Sequence, residues 1–113
     1  MWRGPVWISI NYLGALGFGR CGHADLADKP RAGTCAEVEK FHLKYGTFFE
    51  FYDDRRECDP PQLLRKGIND VDLSPYHRTF SDYGWSATLY IDMLFSKTGR
   101  KGLNTLGFAP ANR

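Results

Sequence analysis

Glu50 is the only carboxylate in the stretch Thr-Phe-Phe-Glu-Phe-Tyr from Thr47 to Tyr52, and Phe49, Phe51 and Tyr52 surround it in sequence. Aromatic neighbours strip water from a carboxylate, which is the setting enzymes give a general base. The same residue also reads as the solvent-facing position of a short amphipathic strand, since glutamates are mostly exposed. Trp2, Tyr12 and Trp85 offer flat faces of the kind that stack on a pyranose ring, and Arg3 and Asn11 carry hydrogen-bond donors suited to ring hydroxyls. Trp7 shares an apolar helical stripe with Ile10 and is read as core.

Two other arrangements carry less. Gly17-Phe18-Gly19-Arg20-Cys21-Gly22 satisfies the spacing of a dinucleotide-binding loop, but it follows a helical pattern, whereas phosphate cradling needs a strand before the loop and a helix opening from it. Cys21, His23, Cys35 and His42 lack the paired spacing of a metal site. No metal and no organic cofactor is expected.

The elements that must position these residues are helical. Val6, Trp7, Ile10 and Leu13 recur at helical spacing behind Pro5, which predicts a helix from Pro5 to about Leu16. The glycines at 14, 17, 19 and 22, and the Lys-Pro-Arg-Ala-Gly run, predict a loop to Gly33. Thr34 followed by Glu37 has the spacing of a capping box, so a second helix is expected from there to a stop at Gly46. Thr47 to Tyr52 is either extended or one helical turn. Residues 53 to 80 are expected to form a long connection with regular structure only around Gln62 to Lys66. A third helix is expected from about Trp85 to Phe95, stopping near Gly99, with residues 100–113 a loose tail.

At 113 residues the chain has room for one core at most, and its 42% hydrophobic and 25% charged content is that of a globular protein. A formal charge of +2 from scattered basic residues implies no nucleic-acid partner. No window approaches the roughly 18 apolar residues of a membrane span, and no targeting signal is visible. The three cysteines cannot pair completely, which favours a reducing compartment.

Three stretches stand in a fixed order: Trp2-Arg3-Gly4-Pro5-Val6-Trp7 with Asn11-Tyr12, then Phe49-Glu50-Phe51-Tyr52, then Tyr83-Gly84-Trp85-Ser86-Ala87. This order resembles the C-terminal part of glycoside hydrolase family 63, which includes the processing α-glucosidase of N-glycan maturation and hydrolases of mannosylglycerate or glucosylglycerate. The resemblance implies an all-α fold, the C-terminal part of an (α/α)6 toroid over residues 1–99. It further implies an inverting mechanism on α-linked glucosyl or mannosyl groups and a general base at Glu50. Trp2, Arg3, Asn11, Tyr12 and Trp85 become candidate substrate contacts. The family's general acid lies upstream of the tryptophan-arginine-glycine motif, so the expected partner of this chain, besides a carbohydrate, is an N-terminal part of the same domain. The isolated 113 residues are then expected to be inactive. The insert from Asp59 to Gly67 departs from the family's short turn and is expected to rim the pocket. A trehalase-like hydrolase and a non-catalytic carbohydrate-binding remnant are the alternatives.

Overall fold

The computed structural model describes residues 4–65 and 77–97. Within them lie three helices, α1 (Ile8–Arg20), α2 (Ala24–Tyr45) and α3 (Gly84–Lys97), and a single 3-10 turn at Pro60–Gln62. The described residues are thus mostly helical and contain isolated β-bridges but no strand. No helix among them is long and apolar enough to cross a membrane.

The stretch expected as a loop is helix. α1 starts at Ile8 rather than Pro5 and runs through Gly14, Gly17 and Gly19 to Arg20, and α2 begins only four residues later. The reversal between them is made by Gly22, whose φ of +84° is open to glycine at little cost. It leaves His23 N–H donating to Phe18 O at 2.9 Å and Gly22 N–H to Gly19 O at 3.2 Å, which satisfies carbonyls at the end of α1. α1 and α2 therefore form a helical hairpin.

α2 carries Pro30 in its interior, where a proline removes a backbone donor and crowds the preceding turn, at a cost of about 3 kcal/mol. Burial offsets this. Ala27, Thr34, Val38 and Phe41 are all buried, and their spacing of seven, four and three keeps one face inward on both sides of Pro30. Thr34 therefore does not cap a helix. It lies inside one, 2% exposed, and its hydroxyl accepts a 2.8 Å hydrogen bond from Asn11 Nδ2 of α1. The expected stop at Gly46 is present: its φ is +71° and its N–H donates to His42 O.

The core is built where the three helices meet the segment after α2. Ile8, Val38, Phe41, Phe49, Tyr52 and Met93 form one buried cluster, with Tyr12, Phe48, Leu89 and Tyr90 packed around it. Trp7 is core as expected, 6% exposed, with its ring 5.3 Å from Phe51. α3 is fastened to α1 by Tyr12, whose hydroxyl donates to the buried Asp92 carboxylate at 2.7 Å. The expected stop at Gly99 and the tail 100–113 lie outside the described residues.

Candidate functional site

Thr47 to Tyr52 is neither helix nor strand: it bends at Thr47 and at Glu50, and hydrogen bonds hold it on two sides. On one side Val6 and Tyr52 exchange two backbone hydrogen bonds, at 2.8 and 3.0 Å. On the other side Glu50 N–H donates to Phe80 O at 2.9 Å, Tyr83 N–H donates to Phe48 O at 3.0 Å, and Phe51 N–H donates to the Thr79 hydroxyl. Thr47 and Asp82 close that edge, Thr47 Oγ1 donating to the Asp82 carboxylate while accepting from Asp82 N–H. This explains why Asp82 adopts a φ of +54°, a conformation aspartate tolerates better than most residues.

The same edge recruits the insert. Leu64 bridges to Arg78, and Thr79 N–H donates to Leu63 O at 3.0 Å, which places Arg65 beside Glu50. Arg65 Nη2 lies 3.1 Å from Glu50 Oε1 and its guanidinium sits 4.2 Å from the centre of the Phe80 ring. Glu50 itself is 4% exposed. Its second oxygen, Oε2, is buried and has no hydrogen-bond partner among the described residues. A buried carboxylate of this kind is half-committed: one oxygen fixes its orientation and balances its charge, and the other remains able to accept a proton.

Tyr83 completes the surroundings. Burial pushes its phenol above the usual tyrosine value, the Glu50 charge adds to that, and Arg65 opposes it. The ring meets that of Trp85 edge-on at 6.4 Å between centres, and Trp85 is 67% exposed, with a large apolar face open to solvent.

The other sequence-predicted contacts are placed differently. Asn11 and Tyr12 direct polar groups into the bundle, Asn11 to Thr34 of α2 and Tyr12 to Asp92 of α3. Trp2 and Arg3 lie outside the described residues. Sequence reasoning did not find Arg65, Phe80 or Tyr83 as neighbours of Glu50. The insert that holds Arg65 is expected from its sequence to rim the pocket, but nothing in the sequence pairs residue 65 with residue 50; the pairing of 63–64 with 78–79 does that. None of Cys21, Cys35 and Cys58 is in a disulfide.

Against known proteins, a 52-residue stretch, 46% of this chain, is 42% identical to mannosylglycerate hydrolase from Thermus thermophilus. That stretch covers 11% of the relative's length. No protein-family model and no solved structure matches the chain. Part of the chain is thus similar to a glycoside hydrolase.

Proposed function

We propose that this chain supplies the general-base side of an inverting α-glycosidase site of the family 63 type, with Glu50 as the base. The observation that supports it best is the division of the Glu50 carboxylate, Oε1 on Arg65 and Oε2 buried without a protein partner. Such an oxygen accepts a proton from the water that attacks the anomeric carbon. The leaving oxygen is protonated by a second carboxyl roughly 6.5–9.5 Å away, which in this reading comes from outside the described residues. Trp85 offers a stacking face for the sugar, Trp2 and Arg3 are further substrate contacts, and Asn11 and Tyr12 hold α1 in place behind the site.

The substrate class is an α-linked glucosyl or mannosyl group of an oligosaccharide or a glycosylglycerate, and the name of the similar hydrolase makes mannosylglycerate the first to try. A protein containing this sequence should release the sugar with inverted anomeric configuration, followed by NMR of fresh product. Glu50→Gln should lower kcat by about 10²–10⁴-fold while circular dichroism shows the fold retained. Undiminished turnover in that variant rejects Glu50 as the base, and retained configuration rejects the inverting mechanism. The exposure of Trp85 also suits carbohydrate binding without turnover, and sugar retention by a protein that cleaves none of these substrates would favour that reading.

A further inference from the structure

A second polar site lies beside Val6, at the Val6–Tyr52 bridge. A cavity of about 180 Å³ is lined by Val6, Asn11, Thr34, Glu37, Asp54 and Arg56, among others. Glu37 is the informative member. It projects from the middle of α2, is only 8% exposed, and its Oε1 is buried with no hydrogen-bond partner among the described residues. Its other oxygen, Oε2, lies 3.6 Å from Arg56 Nε, an ion-pair separation rather than a hydrogen bond. An acceptor left unmet inside a protein is costly, the more so when it is charged, so a donor from a ligand is favoured there.

We propose that this cavity binds a neutral polyhydroxylated molecule, a polyol or sugar, through Glu37. The chemistry of the lining selects that class. Glu37 and Asp54 only accept, Arg56 only donates, and the Asn11 amide and Thr34 hydroxyl, joined to each other by one hydrogen bond, each keep further donor or acceptor capacity. A hydroxyl group donates and accepts at once, and a molecule with several hydroxyls matches a wall that holds both functions. A phosphate would face Glu37 and Asp54, and an ammonium ion, although drawn by the carboxylates, only donates and would leave the donors of Arg56 and Asn11 without an acceptor. A metal ion is disfavoured by geometry: among the described residues no group of three or more His, Cys, Asp and Glu side chains is placed to hold one. Asp53, which also borders the cavity, is committed to the loop, accepting from the N–H groups of Arg55, Glu57 and Cys58. This site is independent of the role assigned to Glu50.

Titration of the full 113-residue chain with glycerol and with glucose, followed by ¹⁵N NMR, tests it. Saturable shifts of the Asn11 side-chain amide and the Arg56 Nε–H are expected. Glu37→Leu should weaken binding about tenfold or more, the loss of one charge-assisted hydrogen bond. Should that variant fail to fold by circular dichroism, Asp54→Ala at the exposed mouth is expected to weaken binding in the same direction. Ethylammonium and inorganic phosphate are expected to leave both signals in place. The proposal is overturned if neither polyol saturates the shifts, if a folded Glu37→Leu or Asp54→Ala protein binds as tightly as the original, or if either ion binds more tightly than the polyols.

Discussion

Burying a carboxylate is costly unless other groups replace its water, and the two buried glutamates meet that demand only halfway. Glu50 keeps one oxygen on Arg65 and Glu37 keeps one near Arg56, and in each the second oxygen is unpartnered among the described residues. Neither carboxylate is simply a solvent-facing residue, which for Glu50 was the competing expectation. Tyr52 shows the same tension in a neutral group. Burial pushes its phenol up to about 12, partly offset by the Phe49 N–H that donates to it, with the Glu37 charge adding to the rise. A raised value means that the folded state keeps the proton longer than the unfolded state. Stability from this group is therefore complete below pH 10.0, the ordinary value, and is lost as the pH rises towards 12. The loss should be on the order of 2 kcal/mol. Denaturant midpoints measured from pH 9 upward should fall less steeply in Tyr52→Phe than in the parent, and parallel curves would show that Tyr52 is not the responsible group.

At the scale of elements the instructive case is α2. Local signals at Pro30 and Gly33 favour a break, and residues of that kind do interrupt isolated helices. They are overridden because Ala27 and Thr34 are buried at positions that only an uninterrupted helix aligns with Val38 and Phe41. Small Ala15 of α1, 2% exposed, suits a close approach of the two helices. A test distinguishes this helix from a loop. Pro30→Ala should stabilise the protein, by about 1–3 kcal/mol, and raise its helical circular dichroism, because alanine restores the missing backbone donor. A destabilised or unchanged protein would indicate that residues 24–33 are not helical in solution. By contrast the Gly46 stop and the helix near Trp85 were legible, because a glycine in the left-handed region and an apolar run after Gly84 act within a few residues of themselves.

For the molecule as a whole, contacts distant in sequence decide how the pieces meet. Tyr12 and Asp92 are 80 residues apart, yet one 2.7 Å hydrogen bond between them joins α1 to α3 beside the core. Tyr12→Phe removes that donor from a buried carboxylate and should lower stability by about 1–3 kcal/mol, read from urea midpoints. A loss well below that range would mean that the bond contributes little to the bundle. Another clasp joins the end of α2 to the 3-10 turn, where Lys44 and Tyr45 both donate to Asp59. Those bonds hold the Asp59 carboxyl below its usual range, Lys44 being the larger cause, so the contribution of the clasp is present above the ordinary carboxylate value and fades as acid protonates Asp59.

The sequence by itself determined the helical character of the chain, the position of Gly46 as a terminus, Trp7 as core and Glu50 as a carboxylate set among aromatics. These follow from spacing and residue type, which act locally. Tertiary structure alone decided that α2 runs through Pro30, that Arg65 meets Glu50, and that Asn11 and Tyr12 point into the bundle. The physical reason is common to all three. Burial and hydrogen-bond satisfaction depend on which distant segment arrives: for Glu50 the arrivals are set by backbone pairing of residue 50 with 80 and 64 with 78, and for the helices by burial of Ala27 and Thr34 and by the Asn11–Thr34 and Tyr12–Asp92 bonds, none of which a local pattern encodes.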